Sequence, residues 1–206
     1  MLEYFYQGGP VMYPLLFCSF LSLTVVIERG IFWIREKRSR DRRSLDRFMT
    51  LVEENNLDGA KEVVQLTNDF VIRVMVCGIL HREFSLRDAL QMRADEEIAR
   101  MKRYLPILDT MITLSPLLGI LGTVIGIIYS FQMLGTLGVE HPRLITVGIA
   151  QALITTAFGL IIAIFSLIPY NYFLSKVEKA ALEVEQYGTN LEIILEKNRN
   201  GANVIP

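Results

Sequence analysis

The chain has 206 residues, 51% of them apolar, with a formal net charge of −1 and a mean hydropathy of +0.35. That length allows one domain, and the uneven placing of charge decides its class. No Asp, Glu, Lys or Arg stands between Thr110 and Val139 or between Leu144 and Ser175. Each run exceeds the roughly 20 apolar residues a spanning helix needs, which excludes a wholly soluble protein.

In chain order, residues 1–10 read as a periplasmic segment. Tyr4, Phe5 and Tyr6 precede Gly8, Gly9 and Pro10, a pattern that suits a short interfacial aromatic helix and also a frayed terminus. The first span runs from Val11 to about Ile27, its cytoplasmic end reaching residue 34, and Pro14 falls in its first turn, where a helix tolerates it. No basic stretch precedes this span and no small-residue cleavage site closes it, so it is expected to be retained rather than removed as a signal peptide. Cys18 lies within the span and Cys77 in the soluble part, so neither a disulfide nor a metal site is expected.

Basic residues set the orientation. Arg35, Lys37, Arg38, Arg40, Arg42, Arg43 and Arg47 follow the first span, Arg100, Lys102 and Arg103 precede the second, and Lys176 and Lys179 follow the third. Residues 1–10 hold none, and the 138–143 loop holds Arg143 alone. The positive-inside rule puts the amino terminus and that loop outside, and residues 35–105 and 175–206 inside. Glu36, Asp41 and Asp46 interrupt the basic run, which argues against nucleic-acid binding.

Within the cytoplasmic segment the pattern predicts helices over 44–52, 57–66 and 69–80, broken at Asn55 and Asn56. From Ser85, capped by Asp88, another follows the 3–4 spacing of Leu86, Leu90, Ala94, Ile98, Met101 and Leu105. It is expected to run unbroken into the second span (106–137), with a kink at Pro106. Val177, Ala181, Val184, Tyr187, Leu191 and Ile194 carry the third span (144–174) into the cytoplasm in the same way. No strand pattern is present. The fold class is an all-α integral membrane protein with three transmembrane helices, spans 2 and 3 extending into a cytoplasmic helical bundle. At about 1.5 Å per residue the two uncharged runs outreach a ~30 Å hydrocarbon core, which suggests an oligomer covering their ends.

The second span reads LSPLLGILGTVIGIIYSF. Ser115, Gly119, Gly122, Gly126 and Ser130 recur every three or four residues, as do Ala152, Thr156, Gly159, Ala163 and Ser166 on the third. Such stripes let helix backbones approach closely. The polar residues Thr123, Gln151, Thr155 and Thr156 serve interhelical packing on one reading. On the other, Thr123 and Thr156, which lie 17 and 15 residues in from Pro106 and Asn171, face a narrow polar path at matching depth. Asp109 is either a helix-end carboxylate facing a cation or a group at the inner mouth.

The PLLGxLGTVxG pattern around Thr123, with ALxTTxxGL around Thr156, resembles the ExbB/TolQ/MotA proton-channel family, ExbB and TolQ more than MotA. The resemblance also covers the three-span layout, the large first cytoplasmic segment and the Glu28–Arg29 end of span 1. It implies a homo-pentamer in the bacterial inner membrane around a dimeric single-span subunit of the ExbD/TolR kind. That partner carries an essential aspartate, and proton flow past it drives work on the envelope through a TonB/TolA-like transducer. Thr123 and Thr156 match the family's pore threonines. The glutamate common five residues before the latter is Gln151 here, which cannot titrate. With no acid at midspan, the resemblance implies that the partner supplies the proton carrier.

Other classes fit less well. No triad, P-loop or metal spacing suggests an enzyme or a cofactor, and His81 and His141 stand apart. Three spans without an internal repeat are few for a substrate transporter. A non-conducting scaffold is the rival, and it predicts that both threonines tolerate valine. The driven system stays open among TonB-type import, Tol-Pal function and gliding, secretion or flagellar-type motors, as does sodium in place of protons.

Overall fold

The computed structural model describes the backbone of residues 2–137 and 142–202, and the side chains of these except 2–4, 64–66, 83, 84, 136, 137, 142–145 and 200–202. The loop expected at 138–143 falls largely outside the described residues, as does His141. Every described element is a helix: α1 (Leu2–Gln7), α2 (Met12–Ser39), α3 (Arg42–Glu53), α4 (Leu57–Leu66), α5 (Phe70–Leu80), α6 (Arg82–Lys102), α7 (Leu105–Leu137) and α8 (Pro142–Ala202). Three of them, α2, α7 and α8, are long and apolar enough to cross a membrane. The chain is an all-α, multi-pass membrane protein.

It divides into two compact units, Met1–Arg29 with Tyr104–Phe173, and Gly30–Arg103 with Leu174–Pro206. The first holds the membrane helices. Its amino-terminal core joins Val11, Met12 and Leu15 of α2 to Phe5 of α1, Leu118 and Ile125 of α7, and Phe158 and Ile162 of α8. Phe5 also meets Tyr13 edge to face, with ring centroids 5.6 Å apart, so α1 is held by aromatic packing.

The second unit is an α-helical bundle. The most apolar of its short helices, α5, buries Val71, Ile72, Val74 and Met75 almost completely. Leu45, Phe48 and Val52 of α3 and Val177, Val184 and Leu191 of α8 are buried at helical spacing too. Asp41 caps α3, accepting the Ser44 N–H at 3.2 Å and its hydroxyl at 2.6 Å. The two bonds to the charged form hold the Asp41 carboxyl below its usual range. Asp69 caps α5 through the Val71 N–H at 2.9 Å and is fully buried, meeting Arg40 at 3.2 Å.

A second ionic cluster centres on Glu97, which is 4% exposed. Arg73 binds it through two nitrogens at 3.0 Å, and Arg93 and Arg100 approach at 3.0 and 2.9 Å. Arg100 also reaches buried Glu36 at 3.0 Å.

The expected continuous helix through residues 85–137 is interrupted. α6 ends at Lys102, Arg103 is extended (φ −51°, ψ 135°), and Tyr104 takes a left-handed conformation (φ 68°) before α7 begins at Leu105. Pro106, lacking an N–H, suits the first turn of a new helix better than the middle of an old one. It therefore starts α7 instead of kinking a longer helix. The Arg29 guanidinium lies 5.4 Å from the Tyr104 ring centroid and shields one face of this turn. The Ser85–Asp88 cap is present, with the Asp88 N–H 3.3 Å from Ser85 Oγ and Ser85 itself non-helical.

Candidate functional site

The two small-residue stripes meet. On α7, Gly119, Gly122 and Gly126 are buried, as are Ala152, Gly159 and Ala163 on α8. A methyl group placed on Gly159 would lie 2.5 Å from the Ser115 carbonyl oxygen. One on Gly119 would lie 3.0 Å from Thr156 Cα, and one on Gly126 2.6 Å from the Gly148 carbonyl. The helices are antiparallel at backbone contact, and only glycine fits these positions.

Two residues outside the predicted stripes complete the seam: Thr155, read from the sequence only as a polar packing residue, and Gly148. Thr155 is fully buried with its side chain against Gly122, and Gly148 faces both Gly126 and Ser130. Gly148 lies four residues before Ala152, so extending the stripe by one step would have found it. The sequence marks Thr155 as a packing residue but does not place it on the stripe, because it and Thr156 sit side by side on the helix.

Hydroxyl groups are spent on the backbone. Thr156 Oγ1 donates across the helix pair to the Gly119 carbonyl at 3.0 Å. Thr123 Oγ1 donates within α7 to the Ile120 carbonyl, and Thr155 Oγ1 within α8 to the Ala152 carbonyl at 2.9 Å. Gly119 precedes Thr123 by one helical turn, so Thr156 and Thr123 sit about a turn apart along the pair, both half-buried. On the α2 side, Ser22 and Ser166 share a buried hydrogen bond of 2.9 Å.

Gln151 and Asp109 lie apart from this centre. The Gln151 amide packs against Gly9, whose φ of +70° and missing side chain make the space for it. Asp109 is exposed four residues on from the start of α7, past the helix's first turn. Among the described residues no group of three His, Cys, Asp or Glu could hold a metal ion.

These features define a membrane protein whose second and third spans form a tight helix pair edged by threonine hydroxyls, with no ionisable side chain at midspan. Residues 68–186 match the family described as the MotA/TolQ/ExbB proton channel family. The protein named ExbB-like 1 of Synechocystis sp. is 37% identical over 202 residues, covering 94% of this chain and 78% of its own. ExbB-like 3 of the same organism is 33% identical, covering 88% and 89%. A Tol-Pal system protein TolQ of Pseudomonas aeruginosa is 37% identical over 111 residues, covering 53% and 47%. The chain belongs to the MotA/TolQ/ExbB proton channel family.

Proposed function

We propose that this chain is the channel-forming stator subunit of a proton-driven motor in the bacterial inner membrane. Its amino terminus is periplasmic and its carboxy terminus cytoplasmic. Five copies enclose single-span helices of an ExbD/TolR-like partner, and a TonB- or TolA-like protein carries the work to the envelope. Import and Tol-Pal-type maintenance are the leading systems. The proton path runs past Thr123 and Thr156, with Gln151 toward its outer end and Asp109 toward its inner mouth.

One observation carries this reading beyond family membership. The uncharged runs 110–139 and 144–175 leave the second and third spans without any carboxylate, histidine, lysine or arginine. A proton crossing the field releases ~2.3 kcal/mol per 100 mV, and a carrier must bind and release it on the way. Hydroxyl groups do not titrate at accessible pH. The carrier is therefore a carboxylate on the partner.

The threonines favour one of its protonation states. A carbonyl only accepts, so Thr156 and Thr123 must donate to Gly119 and Ile120. What they offer a partner is oxygen lone pairs. Lone pairs accept from a protonated carboxyl and repel a carboxylate, so they raise the partner's pKa.

The same bonds favour a second reading, the non-conducting scaffold, in which the hydroxyls serve packing alone. Liposomes carrying a trapped pH dye distinguish the two. The stator reading expects proton flux only when chain and partner are co-reconstituted; equal flux from the chain alone removes the partner-carrier mechanism, and no flux from the complex leaves the scaffold.

A further inference from the structure

The basic run after the first span looks diluted in sequence by Glu36, Asp41 and Asp46. The fold undoes part of the dilution: Asp46 stays exposed, but the other two acids are engaged. Glu36 is buried and bound to Arg100 at 3.0 Å, and the Asp41 carboxylate is occupied in capping α3. Only one of the run's cations is consumed in return: Arg40 turns inward to Asp69 and Glu183. Arg35, Lys37, Arg38, Arg42, Arg43 and Arg47 are all exposed, and none makes an ion pair among the described residues.

The helix beneath says what lies opposite. Along α2 the exposed side chains Phe20, Leu23, Ile27, Ile31 and Ile34 recur every three or four residues and form an apolar stripe. Arg35 and Arg38 continue it, four residues on from Ile31 and Ile34. From Met12 to Ile34 is 22 residues, roughly 33 Å at helical rise, against a hydrocarbon core of about 30 Å. The stripe therefore turns from apolar to cationic at headgroup depth, on one face of one helix. Basic clusters just cytoplasmic of a span attract acidic lipid, each cation contributing about fivefold in affinity before salt screening.

We infer that Arg35, Lys37 and Arg38, with Arg42, Arg43 and Arg47 beyond them, form a binding surface for the phosphate groups of acidic phospholipids in the leaflet that α2 enters. A nucleic acid would meet the same charges, but the apolar stripe one turn away belongs to a helix long and apolar enough to cross a membrane, which holds the cations at the membrane surface. The membrane is the occupant.

Trp33, the only tryptophan, lies within two turns of all three α2 cations and reports on the lipid beside them. The full-length protein is reconstituted in phosphatidylcholine vesicles containing phosphatidylglycerol or phosphatidylcholine with brominated acyl chains, and quenching of Trp33 gives the relative affinity. The expected result is at least a fivefold preference for phosphatidylglycerol in moderate salt, falling toward one in 1 M salt. In the triple variant Arg35→Gln, Lys37→Gln, Arg38→Gln the preference falls toward one with the melting temperature unchanged, while Arg82→Gln with Arg87→Gln leaves it intact. Equal quenching by the two lipids in the natural protein overturns the inference, and so does a triple variant that keeps the preference. Displacement of phosphatidylglycerol by a short DNA duplex would reassign the surface to nucleic acid.

Discussion

Replacing Gly159 with alanine tests the claim that α7 and α8 touch backbone to backbone. The added methyl carbon would stand 2.5 Å from the Ser115 carbonyl oxygen and 3.2 Å from Gly119 Cα, where 3.4 Å begins ordinary contact. Both neighbours are main chain, so no rotamer relieves the overlap and the helices must separate by nearly 1 Å. Overpacking of this kind costs about 1–3 kcal/mol. The same separation weakens the 3.0 Å bond from Thr156 to the Gly119 carbonyl, a class of interhelical bond that averages about 0.6 kcal/mol in membranes. A total near 2–3 kcal/mol is expected, read as a lower midpoint when the purified protein is unfolded by dodecyl sulfate in mixed micelles and followed by circular dichroism. Gly30→Ala is the control, because nothing lies within 4 Å of the added carbon there. If Gly159→Ala proves as stable as Gly30→Ala, the close approach of the two helices is wrong.

Three further perturbations follow from other parts of the fold. Glu97→Ala removes the carboxylate that Arg73, Arg93 and Arg100 share, while Arg93 keeps Glu96 and Arg100 keeps Glu36, so a loss of about 2–3 kcal/mol is expected in thermal unfolding; an unchanged melting temperature would show the cluster to be ornamental. The lowered pKa of Asp41 means that its contribution to stability is present above its usual carboxylate pKa and is lost as pH falls through the lower folded value. Asp41→Asn keeps an acceptor for the Ser44 N–H, though not for its hydroxyl, and should flatten that acid limb in melts between pH 2 and 5, whereas a limb identical to that of the natural protein assigns it to another group. Gly9→Ala forces an L-residue to φ +70° at about 1–2 kcal/mol and drives a carbon into the Gln151 amide. Adding Gln151→Ala should recover the steric part and leave the backbone part, and no recovery at all would mean that the two residues do not meet.

The spans and both small-residue stripes were legible because each is a local, periodic signal repeated over several turns. The cytoplasmic helices were legible for the same reason, aided by Asn55, which takes φ 58° where the sequence predicts a break. The turn at Tyr104 was not, since tyrosine carries no preference for a left-handed backbone and Pro106 suits a kink or a fresh start equally well. Gln151 looked like a midspan polar group because its neighbour Gly9 is remote in sequence and only tertiary packing joins them. Glu36 looked like a surface acid for a similar reason: its partners Arg73 and Arg100 come from other helices. Helical periodicity names a face but not which of two adjacent residues points inward, which is why the stripe is drawn through Thr156 although Thr155 is the fully buried one.

The direction of the Thr156 bond makes the stator reading testable at a single oxygen. In Thr156→Val the volume is nearly kept, the bond to the Gly119 carbonyl is lost, and the lone pairs offered to a partner disappear with it. Serine keeps both the donor and the lone pairs. If the hydroxyl stabilises a protonated carboxyl on the partner, valine lowers the pKa of that carboxyl and the pH at which flux is half-maximal moves down, by about one unit for each 1.4 kcal/mol of bond lost, while serine holds it near the natural value. The scaffold reading predicts a different pair of results, a stability loss of about 1 kcal/mol for valine with no shift in any pH profile. Measuring both quantities on the same co-reconstituted complex separates them, since packing acts on the unfolding midpoint and proton affinity acts on the flux profile. A valine variant that lowers stability and leaves the profile where it was would confine Thr156 to holding the helices together.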